Sequence, residues 1–92
     1  MLTFEDCLAL CELSAEEISA IAEHENLPEI AALEYGEYLM HLPDGDILIR
    51  DIIIDDIKHC KTMGNMKHAE DLEAVLRHFI STHPKLKSYM NS

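Results

Sequence analysis

Apolar residues recur along this 92-residue chain at three- and four-residue spacings, the period of helices buried on one side. Phe4, Cys7, Leu8 and Cys11 open the series at i, i+3, i+4 and i+7. Thr3 precedes them with Asp6 three residues on, a weaker relative of the capping box. The next start is sharper. Ser14 and Glu17 form a capping box, and Leu13 and Ile18 bracket it as a hydrophobic staple. A second helix therefore begins at Ala15 and runs to about Glu25, with Ile18, Ile21 and Ala22 inward. Pro28 suits the first turn of a third helix, because its missing N–H has no partner there anyway. That helix continues to about His41. Its polar stripe of Glu34, Glu37 and His41 is narrow, so most of its circumference is expected to be covered.

Leu42-Pro43-Asp44-Gly45-Asp46 is the clearest break, with Asp44 or Asp46 available as a cap. Residues 47–63 are ambiguous. Ile47, Ile49, Ile52, Ile53, Ile54 and Ile57 are β-branched and favour a strand. Periodicity decides for a helix: Ile49, Ile53, Ile57 and Cys60 share one face, while Asp51, Asp55 and Lys58 lie opposite. Gly64 suits a C-terminal cap behind Lys58, His59 and Lys61, which complement the helix dipole. Asn65 then caps a fifth helix over 66–82, with Ala69, Leu72, Val75, Leu76, Phe79 and Ile80 inward. Glu73 and Arg77 are spaced for an i,i+4 ion pair on its surface, and Pro84 ends it. The pattern predicts an all-α, five-helix single domain over residues 1–84. A long C-terminal antiparallel hairpin, about 47–63 and 66–82, packs against three shorter N-terminal helices. Residues 85–92 are expected to be a frayed tail.

Composition adds little to that fold and more to the setting. A hydrophobic share of 48% suits a packed core and argues against disorder. The longest unbroken apolar runs, Cys7–Cys11 and Ile30–Leu33, are too short for a membrane span. Glu5, Asp6 and Cys7 stand where a secretory signal would be basic, and three cysteines make an odd number. A cytoplasmic protein with reduced thiols is the expectation.

The opening Leu2-Thr3-Phe4-Glu5-Asp6-Cys7-Leu8 and the closing Val75-Leu76-Arg77-His78-Phe79 through His83-Pro84 resemble a set of short uncharacterised helical proteobacterial proteins. The resemblance spans nearly the whole chain. It implies a bacterial source and, since no activity is known for that set, no mechanism.

Charge is distributed unevenly. Residues 1–57 hold fifteen Asp and Glu against Arg50 alone, a charge of −14, and the remainder carries +3, giving −11 for the chain. Helices 15–25 and 28–41 look like a helix-turn-helix. Yet the would-be reading helix bears Glu29, Glu34 and Glu37 and no Lys or Arg, so it would repel a phosphate backbone. Nucleic acid is disfavoured as a partner. Cys7-x₃-Cys11 is half of a zinc pattern, but its only possible His pair, His78-x₄-His83, points to two faces of one helix. Core packing of the thiols is the expectation, with no metal and no cofactor. The chain has no Gly-rich phosphate loop, no nucleophile elbow and no calcium loop. Asp56 and His83 sit on otherwise apolar faces. They are read as a flanking carboxylate that reaches solvent and a helix-end imidazole bonded to a carbonyl, ahead of an acid–base dyad.

What remains is the acidic surface. Glu16, Glu17, Glu23, Glu25, Glu29, Glu34 and Glu37 are the candidate interaction residues, for a partner protein with a basic surface. Self-association of the acidic half with another copy's basic tail is a further reading. Apolar side chains of the fourth helix at Ile47, Leu48, Ile52 and Ile54 also leave room for a homo-oligomer. The functional expectation is a small acidic interaction or regulatory module without catalytic activity. The alternative is a small metal protein or enzyme using Cys and His.

Overall fold

Four of the five helices begin where the chain supplies the hydrogen bond or the space that the first turn needs. The computed structural model describes residues 3–86. It contains α1 (Phe4–Ala9), α2 (Ala15–Glu25), α3 (Glu29–Met40), α4 (Gly45–Thr62) and α5 (Met66–Thr82), then a 3₁₀ turn at Pro84–Leu86. No strand occurs among the described residues. No helix among the described residues is long and apolar enough to cross a membrane. Thr3 Oγ1 accepts from Asp6 N at 3.1 Å, and the Asp6 carboxylate accepts from Thr3 N at 3.1 Å. Ser14 and Glu17 repeat the arrangement, at 3.2 and 2.9 Å. The pattern-predicted boxes are thus both formed. Pro28 stands just outside α3 as its N-cap.

The fourth helix is a helix despite its isoleucines. Ile49, Ile53, Ile57 and Cys60 are all buried along one stripe, and burial of that stripe outweighs the β-branched preference. It starts two residues earlier than its pattern predicts. Asp44 is the N-cap but makes no side-chain bond. Space is what decides at Gly45, where a Cβ would lie 1.7 Å from the Leu39 carbonyl oxygen. Only glycine lets α3 fold back so tightly into α4. At the far end, Gly64 adopts φ 80°. Asn65 N donates to Cys60 O at 2.8 Å and Gly64 N to Lys61 O at 3.2 Å, a Schellman closure. Asn65 Oδ1 then accepts from His68 N and caps α5. One residue ends one helix and starts the next, which fixes the antiparallel hairpin.

The α4–α5 pairing is the most extensive interface, and α2 lies across it while also packing on α3. Ile18, Ile21, Ile49, Ile53 and Phe79 meet at the centre, fully buried. Several surface expectations are corrected. The exposed stripe of α3 is Ile30, Glu34 and Tyr38, whereas Glu37 is half-buried. Of the four apolar residues suspected on α4, only Leu48 is exposed. Glu73 pairs with Lys61 of α4 at 3.8 Å and not with Arg77, and the i,i+4 pair of α5 is Lys67–Asp71. The core also reaches beyond residue 84: Leu86 is 0% exposed, so Lys85 and Leu86 belong to an ordered turn. The rest of the expected tail, residues 87–92, lies outside the described residues, as does Leu2.

Candidate functional site

Capping, burial and helix crossing place the seven candidate glutamates in different environments. Glu16, Glu29 and Glu34 are exposed. Glu16 borders a groove with Asp71 and His78. Glu17 does not belong to a docking surface. It is 2% exposed, because its carboxylate turns back to the Ser14 N–H to complete the box. Its other oxygen, Oε2, is buried without a hydrogen-bond partner. Glu37 is also diverted: its Oε1 accepts from Cys11 Sγ at 2.9 Å and from Glu12 N at 3.4 Å. That bond ties the segment after α1 to α3. Burial first, and then this hydrogen bond, push the Cys11 thiol up to about 11. Cys7 and Cys11 therefore have packing and bonding roles apart from each other, and all three cysteines are free.

Glu23 and Glu25 sit where α2 crosses the hairpin, and there the structure brings together residues the sequence leaves scattered. His68 Nε2 lies 2.7 and 2.9 Å from the two Glu23 oxygens. Cys60, buried at 6% exposure, completes a cluster in which one ligand atom of each residue lies within 4.8 Å of the others. Beside it, His24 Nδ1 is 2.6 Å from Glu25 and its Nε2 is 3.0 Å from Asp55. Burial opposes charge on His24, but the Asp55 and Glu25 carboxylates outweigh it and raise the imidazole above its ordinary 6.5. Asp56 does not reach solvent as the flanking reading expects. It is 7% exposed, and its Oδ2 is buried with no hydrogen-bond partner. Burial, with Glu23 and Asp55 adding to it and His24 opposing, pushes its carboxyl up to about 6.

Asp56 and His83 are not brought together. Asp56 lines a groove with Glu23, His24, Asp55 and His59, and His83 lines another with Met40, Leu42 and Pro84. His83 behaves as the carbonyl-bonded reading expects, with Nδ1 2.8 Å from the Phe79 carbonyl oxygen and its ring centroid 4.1 Å from that of Phe79, the planes tilted by 33°. The Cys60–His68 neighbourhood carries a signal that sequence reading missed. Both residues lie four positions from Gly64, and residues symmetric about a tight turn face each other in an antiparallel hairpin. Nothing in the sequence indicates that Glu23 joins them.

A second feature lies between α3 and α4. A groove of about 350 Å³ has Tyr35, Leu39, Leu48 and Ile52 as its apolar floor and His24, Glu25, Asp51 and Asp55 on its rim. Leu48 is 41% exposed there. Comparison with family models, with curated proteins and with solved structures finds no match to this chain. The chemistry of these two features has to be read from the residues themselves.

Proposed function

We propose that the chain is a protein-interaction module without catalytic activity, and that it takes a basic amphipathic helix of a partner into the α3–α4 groove. The observation that carries this reading is an apolar floor inside a rim of three carboxylates, with the His24 imidazole set between two of them. A helix laid in such a groove buries one or two apolar side chains at i and i+3 or i+4. Its Lys and Arg residues then compete with His24 for Glu25 and Asp55 and with Arg50 for Asp51. The −14 charge of residues 1–57 steers such a partner and rejects acidic ones. Ile30 and Tyr38, exposed on α3, offer apolar area beyond the groove. The docking surface thus differs from a purely acidic face. Glu25 remains in it, Glu17 and Glu37 leave it, and Asp51 and Asp55 of α4 enter. A cytoplasmic, bacterial setting goes with this reading, in keeping with three free thiols.

The test is fluorescence anisotropy with a labelled Lys/Leu amphipathic helical peptide, with a Glu/Leu peptide of the same pattern as control. The basic peptide is expected to bind, more weakly as salt rises, and the acidic one not to bind. Leu48→Asp should abolish binding, and Asp51→Lys should weaken it and flatten its salt dependence. Equal binding of the basic peptide by the two variants and the unaltered chain would refute the groove as the docking site.

A further inference from the structure

The cluster assembled by α2, α4 and α5 is not explained by a docking groove. Glu23, Cys60 and His68 come from three different helices, and they supply a carboxylate oxygen, a thiol sulfur and an imidazole nitrogen within 4.8 Å of one another. A structural ion pair would need only the Glu23–His68 edge. The buried thiol on the third corner goes beyond that need. Asp56 adds an independent observation. It lies one helical turn before Cys60 on α4, is almost wholly buried, and leaves Oδ2 without a partner. It also shares a groove of about 270 Å³ with Glu23, His24, Asp55 and His59, so that Glu23 links this groove to the cluster. Orphaned buried carboxylate oxygens are rare, because burial without a compensating bond is costly. A cation held at Glu23, with its bound water, would supply the missing partner.

We infer that Glu23, Cys60 and His68 bind a zinc ion, with Asp56, just outside the three-residue cluster, reaching the fourth position through one water. The donor set selects the class of metal. Sulfur and imidazole nitrogen beside carboxylate suit a borderline-soft ion such as Zn²⁺, whereas calcium and magnesium take all-oxygen shells. Charge balances as well: one thiolate and the Glu23 carboxylate offset the two positive charges, and Asp56 adds to the attraction. Binding displaces the Cys60 thiol proton to solvent, and His68, bound through Nε2, keeps its remaining proton on Nδ1. No electron is transferred. Bonds of about 2.0–2.3 Å set tetrahedral ligand atoms roughly 3.4–3.8 Å apart. The 2.7 Å contact between Glu23 and His68 must therefore open by about 1 Å. Both side chains are partly exposed and can move, while Cys60 is fixed by the core.

The test is a titration of the full chain with Zn²⁺ by calorimetry and native mass spectrometry, with Co²⁺ as a spectroscopic substitute. One ion per chain with a Kd of about 1 μM or tighter is expected, and the Co²⁺ complex should show a thiolate-to-metal charge-transfer band. Cys60→Ser and His68→Ala should each weaken Zn²⁺ by about 100-fold, and Asp56→Asn by about 10–100-fold. Far-UV circular dichroism verifies that each variant is folded. A Cys7→Ser/Cys11→Ser double variant should bind as the unaltered chain does. Absence of a stoichiometric ion, absence of the charge-transfer band, or full affinity in any of the three ligand variants overturns the site.

Discussion

Replacing Asp56 by Asn should stabilise the metal-free protein at neutral pH and leave it unchanged in acid. Burial raises the Asp56 carboxyl from its ordinary 3.8 to about 6 in the folded protein. Between those values the folded chain holds a proton that the unfolded chain releases. Stability contributed by this group therefore falls as pH rises through that window and stays low above it. A shift of about two units corresponds to a ceiling of about 3 kcal/mol. The groove beside Asp56 is open to water, and screening there reduces the figure to about 1–2 kcal/mol. Asn has nearly the same shape and no charge to desolvate, so Asp56→Asn should gain that amount at about pH 7.5 and nothing near pH 4. Urea unfolding followed by far-UV circular dichroism, with chelator present, measures the difference at both values. For a chain of this size the gain equals about 5–15 °C in Tm. A difference independent of pH, or a loss of stability at neutral pH, would show that Asp56 is not desolvated as described.

Two further outcomes are expected. Ile53→Ala removes three carbons from a fully buried position on α4 and should cost about 2–4 kcal/mol in urea unfolding, with an unchanged m-value. A cost near zero would remove Ile53 from the core. Leu86→Ala should cost about 2–4 kcal/mol on the same assay, because Leu86 is as buried as Ile53; a neutral result would restore the reading of a frayed end.

Helix positions were legible wherever side chain and backbone cooperate locally. Ser14 with Glu17 and Asn65 behind Gly64 set the bounds of α2 and α5, and the Ile49, Ile53, Ile57 and Cys60 period settled α4. Errors arose where a distant element decides. The early start of α4 depends on the closeness of the Leu39 carbonyl to Gly45, which no local pattern encodes. Glu17 carries a surface residue's charge, but its cap bond draws it inward. Glu37 falls in the polar stripe of α3, yet it meets Cys11, twenty-six positions earlier. The Glu23–Cys60–His68 cluster needs the crossing of α2 over the hairpin. That crossing follows from packing, and periodicity shows only which faces are apolar.

The shared Gly64–Asn65 turn has a consequence for how the chain folds. Contacts between α4 and α5 close short loops, and the left-handed Gly64 with its two bonds to Lys61 and Cys60 favours chain reversal before any distant partner arrives. Local contacts of this kind lower the entropy lost in the transition state and favour rates in the microsecond-to-millisecond range. The hairpin is therefore expected to form first, with α1 to α3 condensing on it afterwards. Substitutions at Gly64 and Asn65 would slow folding, whereas those at Ile18 or Leu33 would chiefly speed unfolding.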